Sequence, residues 1–391
     1  MGERYFYGYR RPDGRVGIRN QVLILPASAC ASDTTERAAR EVQGAVTFHN
    51  QQGCSQLGRD FEYTMNVLAG FAANPNVYGT ILVGLGCENC QVNLVAEEIR
   101  RRTCKPLLYT TIQEEGGTIR CIETVTRQAR QMAAEASAVQ REKFPVSELL
   151  LGTECGGSDP TSGIAANPVI GALCDRLVED GGAAILSETT EFIGAEHILA
   201  ARAKDERVAG RILEIVERCE QHFRNVGENA RDGNPSPGNI EGGITTLEEK
   251  SLGCIHKGGN SVIQEVYEYG EQIPAEQKGL VIMDTPGNDP SSIAGMIAGG
   301  CQVVVFSTGR GTAMGAPIVP VIKLTGNRFT FANMKDNVDF DASRFITGEA
   351  AVDEMAEELY DELLAVCSGR VSKAESLGYT ETAIARWCNY A

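Results

Sequence analysis

LLLGTECGGSDPTSGIAANP, residues 149–168, is the stretch that decides the fold. Leu149-Leu150-Leu151 reads as the end of a buried strand that breaks at Gly152. The chain then puts Glu154, Cys155, Ser158 and Asp159 on a glycine-rich loop. An apolar run, a glycine break and a polar loop describe the carboxyl end of a strand in an open α/β sheet, where such sheets bind ligands. A loop that only had to turn would not need two acids, a thiol and a hydroxyl within six residues. Asn167 closes the same stretch, and Pro168 suits the first turn of the helix that follows.

Upstream the design recurs. Strands are predicted at Val22–Leu25, Ala45–Phe48, Thr80–Val83 and Leu107–Thr110, alternating with helices. Cys30, Cys54 and Cys87 lie just past the carboxyl ends of the first three. Before them, residues 8–20 read as a hairpin or arm turning at Pro12-Asp13-Gly14. Arg15 and Arg19 on that arm are read either as an anion clamp or as solvated or paired surface arginines. Asp33 with Glu36 reads as a capping box. Downstream, Ala183–Leu186 is a strand ending in SETTEFIGAEH, and a helix is predicted from Ile198 to Phe223. Residues 225–243, rich in Gly, Pro and Asn, read as a linker or long functional loop. Strands follow at Leu280–Met283, Cys301–Phe306 and Val319–Leu324, then a helical tail with a capping box at Ser372 and Glu375.

The expected fold class is α/β, with open, mostly parallel sheets and helices on both faces, in two to three domains. The expected divisions are 1–145 with the strand-end cysteine loops, 146–232 with ECGGSD and SETTEFIGAEH, and 233–391 with glycine-rich loops and the helical tail. A length of 391 residues is more than one ordinary core accommodates. The net charge of −16 argues against a nucleic-acid or bilayer surface. An anionic ligand therefore needs a local cation, either Arg/Lys or a metal. Thirteen cysteines, an odd number, follow a polar amino terminus without a signal-peptide apolar region. This points to a cytoplasmic chain whose thiols serve packing, metal binding or catalysis rather than disulfides.

Three constellations carry chemistry. Cys54, Cys87 and Cys155 follow strand ends that a parallel sheet would bring to one edge. Three thiolates would suit an iron–sulfur cluster or a single soft metal; small buried thiols are the bland alternative. Cys90 makes a CxxC with Cys87, but no second CxxC supports zinc. Glu188, Glu191, Glu196 and His197 would suit Fe(II), Mn or Mg, or acid/base work beside such a metal. His49, ahead of the Cys54 loop, is a candidate base or ligand. Ser307, Thr308, Arg310 and Thr312 form a credible carboxylate or polyol cradle on a glycine-rich loop. No Walker loop or dinucleotide fingerprint is present.

GRVGIRN at 14–20, GCSQLG at 53–58, GLGCENCQ at 84–91, ECGGSDPTSGIAANP at 154–168, GAEH at 194–197, NPSPGNIEGGITTLEEKSLG at 234–253 and STGRGT at 307–312 together span nearly the whole chain. They resemble the altronate and galactarate dehydratase family of sugar-acid hydro-lyases, which includes the large subunit of sulfolactate sulfo-lyase. The resemblance implies an iron-dependent lyase acting on a hydroxy-acid carboxylate and giving a 2-keto-3-deoxy acid by β-elimination. It implies a small β-rich, SAF-type domain ahead of the catalytic part; the first motif here starts at Gly8, so either a separate small subunit supplies that domain or the chain acts without it. A homo-oligomer is also expected. Carried onto this chain, iron would be Fe(II) or a cluster on Cys54, Cys87 and Cys155, or on Glu188, Glu191 and His197 if mononuclear. His49 or His197 and Glu188 would move protons. Arg310 would grip the carboxylate, with Ser158, Asp159, Asn167, Ser307, Thr308 and Thr312 binding substrate. The alternatives are a C–S lyase giving pyruvate and sulfite from sulfolactate, and a non-catalytic iron-binding scaffold subunit.

Overall fold

The computed structural model describes residues 3–388. The arm begins the fold. β1 (Tyr5–Arg10) turns at Pro12-Asp13-Gly14 into the short antiparallel β2 (Val16–Gly17). A parallel sheet follows, built from β3 (Gln21–Pro26), β4 (Ala45–Val46), β5 (Val77–Gly84) and β6 (Leu107–Thr111) in the order β4-β3-β5-β6. β7 (Glu142–Pro145) returns to pair antiparallel with β1. The remaining strands are β8 (Leu150–Cys155), β9 (Ala183–Leu186), β10 (Ile263–Tyr267), β11 (Gly279–Met283), β12 (Val303–Ser307), β13 (Val321–Thr325) and β14 (Phe340–Asp341). They form one all-parallel sheet in the order β10-β11-β9-β8-β12-β13-β14. The fold class is thus α/β with mostly parallel sheets. Strands on either side of residue 233 are hydrogen-bonded into this one sheet.

The apolar runs are continuous because both faces of the strands are covered. Alternate residues of β8, β9 and β12 enter two different cores. Leu151, Leu186 and Val305 pack on one side with the helices Asn167–Glu179 and Val352–Cys367. Ile185, Val304 and Phe306 pack on the other with the helix Asp289–Gly299. That second core also contains Leu23, Leu25 and Leu82 of the four-stranded sheet. The helices Gly58–Ala73 and Asp289–Gly299 therefore lie in a layer common to both sheets. Gly70 of one lies against Ala298 of the other, where a Cβ on Gly70 would stand 2.5 Å from the Ala298 carbonyl oxygen.

Several local expectations shift. β8 runs to Cys155, so this thiol ends the strand instead of standing on the loop. The helix predicted over Ile198–Phe223 is two helices, Glu196–Ala200 and Glu206–Asn225. Asp205 starts the second by accepting the Val208 N–H at 2.8 Å. The capping box at Asp33 and Glu36 does not form, because a 3₁₀ turn, Ala29–Ala31, leads directly into the helix Ser32–Arg40. The box at Ser372 and Glu375 does form. Residues 225–243 contain the short helices Ala230–Gly233 and Pro237–Glu241 rather than a bare linker. Arg19 is neither clamp nor surface charge. Its guanidinium is buried, pairs with the Glu375 carboxylate at 2.7 and 2.8 Å and donates to the Val366 and Arg370 carbonyls. Arg15 donates to the Ile273 carbonyl at 3.1 Å.

Gly70→Ala is expected to force the two common helices apart and destabilise the chain by about 1–3 kcal/mol, the usual cost of overpacking. Urea unfolding midpoints of the variant and the parent measure it.

Candidate active site

Four carboxyl ends of neighbouring parallel strands meet at one edge of the larger sheet: β8 at Cys155, β9 at Leu186, β11 at Met283 and β12 at Ser307. The chain reverses direction across the sheet here, since β9 and β12 flank β8 on opposite sides. Two residues past β9, Glu188 adopts a left-handed backbone, φ 73°, which is strained for a residue with a side chain. Its N–H donates to the Thr285 hydroxyl at 2.7 Å. Its carboxylate accepts the Cys155 N–H at 3.0 Å and Lys257 Nζ at 2.5 Å through one oxygen, Oε2. The turn thus aims an acid back over the end of β8.

Lys257 lies on the 3₁₀ turn Ile255–Gly258, has no exposed surface, and also donates to Cys254 Sγ at 2.7 Å. Burial works against its charge, but its neighbours Cys254 and Glu188 outweigh burial and hold its pKa up. Glu154, the residue before Cys155, accepts from the Ser292 hydroxyl at 2.7 Å through Oε2. Asp289 opens the helix Asp289–Gly299 and approaches Gly156 so closely that a Cβ there would stand 2.2 Å from its Oδ2. The glycine after Cys155 is therefore a requirement of the site. Glu191 accepts Lys250 Nζ at 3.0 Å and Asn234 Nδ2 at 3.1 Å through Oε1.

Three oxygens in this cluster are buried with no hydrogen-bond partner among the described residues: Glu154 Oε1, Glu188 Oε1 and Glu191 Oε2. One ligand atom each from Glu154, Glu188 and Asp289 lie within 4.8 Å of one another, a set that could hold a metal ion. Such all-oxygen donors suit a hard or borderline divalent cation. The charge count agrees. Glu154, Glu188, Glu191 and Asp289 face two ammonium groups, Lys250 and Lys257, so the carboxylates alone, when ionised, exceed the cations by two. Without a cation, protonation is the other remedy. Burial pushes Glu154 well above the usual carboxylate range, Glu188 up to about 8 and Asp289 up to about 6.

Cys155 moves the other way. Hydrogen bonding from Cys254, assisted by the Lys257 charge and Ser158, draws its thiol down to about 5 against the effect of burial. Ser158 Oγ lies 3.0 Å from its sulfur, and Asn167 Nδ2 donates to it at 3.6 Å. The Cys254 thiol is pushed up, chiefly by burial. Cys155 and Lys250 stand between two cavities and line both. The larger, about 680 Å³, is bounded by Glu191, Asp289 and the 228–239 segment. The smaller, about 220 Å³, is bounded by Ser158, Asp159, Asn167 and Cys254.

The residues singled out from the sequence thus divide. Cys155, Ser158, Asn167, Glu188 and Glu191 come together here, and Ser307 joins them through a hydroxyl bonded to Asn167 Oδ1. Asp159 lines the smaller cavity while its carboxylate holds Thr161 and Asn327. The Thr308 hydroxyl accepts the Gly311 N–H, and that of Thr312 the Met314 N–H. Arg310 lines neither cavity; it donates to the Gly238 carbonyl and the Glu241 carboxylate, both at 2.7 Å. His197 is exposed and lines neither cavity. His49 is exposed, 3.5 Å from Asp33. Cys54 and Cys87 are exposed on loops of the smaller sheet, which touch where the Cys90 N–H donates to the Gly53 carbonyl. Among the described residues, Cys54, Cys87 and Cys155 do not form a set of ligand atoms within 4.8 Å. The Cys87 loop is wound around Glu88, whose Oε2 accepts the N–H groups of Leu85, Gly86 and Cys87.

Lys250, Cys254, Lys257 and Asp289 were not singled out from the sequence. The available signal was a lysine between a cysteine and two glycines in CIHKGG, and an acid immediately before a helix-starting proline in GNDP. Alkylation of Cys155 by iodoacetamide is expected to be half-maximal near pH 5 and to fall below it, where an ordinary thiol reaches half-maximum near pH 9. Peptide mass mapping of the alkylated chain across pH measures this.

Comparison with known proteins places the site in context. The model of the family described as D-galactarate/Altronate dehydratase, C-terminal, matches residues 146–389. The model described as D-galactarate dehydratase/Altronate hydrolase, second domain, matches residues 8–137. The chain is 36% identical to an altronate dehydratase of Bacillus subtilis over 97% of its own length and 77% of the relative's. It is 36% identical to an altronate dehydratase of Escherichia coli, covering 96% and 76%. It is also 36% identical to the (2R)-sulfolactate sulfo-lyase subunit beta of Chromohalobacter salexigens, covering 98% and 97%.

Proposed function

The chain belongs to the D-galactarate/altronate dehydratase family, and from that premise we propose that it is an iron-dependent hydro-lyase that removes water from a sugar acid, an altronate-like aldonate or aldarate, to give a 2-keto-3-deoxy acid. The observation that carries this reading is the buried acid cluster with unpartnered oxygens beside a cavity large enough for a six-carbon acid. Glu154, Glu188 and Asp289 would hold the metal, and the neighbouring Cys155 and Cys254 sulfurs favour iron over magnesium. Bound there, Fe(II) supplies Lewis-acid stabilisation of the charge that develops when a proton leaves the carbon next to a carboxylate.

The chain's own groups do the rest. Removal of the C2 proton and loss of the C3 hydroxyl give an enol that ketonises. Glu191 lines the larger cavity with Oε2 unpartnered, and this oxygen takes the C2 proton. Lys250 and Asn234 fix the other oxygen and so the aim of the carboxylate. Lys257 fixes Oε2 of Glu188, leaving Oε1 as the oxygen offered. Cys155, Ser158 and Asn167 form the polar wall between the cavities.

A second reading has its own support. The chain is as similar to the (2R)-sulfolactate sulfo-lyase subunit beta, at 36% identity, as it is to the altronate dehydratases. On this reading the same site expels sulfite from sulfolactate, together with a small partner subunit. Screening aldonates and aldarates for 2-keto-3-deoxy acid, and sulfolactate for sulfite, decides between the two.

Glu154→Gln is expected to lower iron bound per chain and to reduce turnover at least about 100-fold, since the cluster then lacks a charged ligand. Iron and acid-labile sulfide per chain, measured after anaerobic purification, check this. Iron without sulfide that is lost in the variant supports the oxygen site. Iron with sulfide that is lost on Cys54→Ala or Cys87→Ala instead supports a thiolate-held cluster.

A further inference from the structure

A carboxylate entering the larger cavity meets a wall rich in negative charge. Glu191, Glu228, Asp232 and Asp289 line it, and among the described lining residues Lys250 is the one cation. The other cations near the site are committed elsewhere. Lys257 is wholly buried against Glu188 and Cys254 and lines neither cavity, and Arg310 is bonded to Gly238 and Glu241 outside both. An ammonium has three N–H donors. Lys250 spends one on Glu191 Oε1 at 3.0 Å and one on Asn234 Oδ1 at 2.7 Å. Among the described residues the third has no hydrogen-bond partner, which leaves it for a ligand. The side chain is 14% exposed, enough to be reached from the cavity and buried enough for a charge-assisted hydrogen bond to count.

Position adds to charge. Lys250 stands with Cys155 at the partition between the two cavities, so a group bound to its ammonium sits at the end of β8. Two anchors from different parts of the fold hold it there. Glu191 comes from the turn after β9, and Asn234 from the segment that forms the far wall.

We propose that Lys250 is the residue that binds the substrate carboxylate, through its third N–H, and that it makes the cavity selective for 2-hydroxy carboxylates over uncharged polyols and amides. This rests on the hydro-lyase reading above. The carboxylate end of the acid then lies at the partition, with C2 beside Glu191 and the hydroxylated tail in the larger cavity.

The test uses the full chain, iron-loaded, and two probes: a hexonic acid that the parent dehydrates, and the primary amide of the same acid. Affinities come from calorimetry and rates from 2-keto-3-deoxy acid formation. The parent is expected to bind the acid more tightly than the amide. In Lys250→Met the affinity for the acid should fall about 10- to 100-fold, the scale of a hydrogen bond to a charged group, while that for the amide stays unchanged. KM should rise, and kcat should fall as well because Lys250 also holds Glu191; the acid-to-amide affinity ratio is the deciding readout, and Lys250→Arg should recover part of that preference. Lys250→Gln, which keeps a polar tip for Asn234, replaces the methionine variant if that chain does not fold. If the variants keep the parent's acid-to-amide ratio, or lose both ligands alike, Lys250 merely neutralises Glu191 and the proposal is overturned. A parent that binds and dehydrates no sugar acid overturns the hydro-lyase reading itself, a failure visible before any variant is made.

Discussion

A lysine ammonium with no exposed surface, held between a glutamate and a thiol, is the interaction on which the rest of this site depends. Removing such a charge from water is tolerated only if opposite charge comes with it and the remaining donors are satisfied. Lys257 meets that condition at a cost to its neighbours. Glu188 reaches it only with a left-handed backbone, and Cys254 must point inward from the end of its helix. The carboxylate held by Lys257 also bonds the backbone of Cys155, so this one pair registers the ends of β8 and β9 against each other. The polar groups at the edge of the sheet are arranged around that fixed point.

The same pair explains why acids accumulate beside it. One buried cation can offset one carboxylate, yet four acids gather here with only Lys250 in addition. Oxygens without partners are costly in an interior unless something binds them. The cluster is therefore a set of oxygens that could hold a metal ion. Nearby polar residues that looked equivalent in the sequence have a different status. Arg19 spends its charge on Glu375, and Asp159 on Thr161 and Asn327.

What could be read from the sequence follows from what sequence patterns encode. Apolar runs ending in glycine marked the parallel strands, and the stretch 154–159 marked the sheet edge where the acid cluster lies, because both are properties of neighbours along the chain. The pairing of Glu188 with Lys257, or of Glu191 with Lys250, is a property of strand order. Sixty-nine residues separate the first pair, and nothing local signals that the turn after β9 will meet the 3₁₀ turn at Ile255–Gly258. The cysteines illustrate the same limit. Each was found at a strand end, but Cys54 and Cys87 belong to a different sheet from Cys155. His49 and His197 were chosen for their chemistry, and exposure, which composition does not encode, leaves both outside the cavities.

The helix Asp289–Gly299 has one end in each half of the molecule. Its first residue supplies a carboxylate to the site, and its last turn is wedged against Gly70 of the smaller sheet's helix. Eleven residues at 1.5 Å each make a rod of about 16 Å. A rod of that length, rocked by about 4° at its wedged end, moves its tip by about 1 Å. Misplacement of that order is enough to cost an active site roughly a hundredfold in rate. The smaller sheet, which gives no residue to the acid cluster, is in this sense the fulcrum that sets the reach of Asp289.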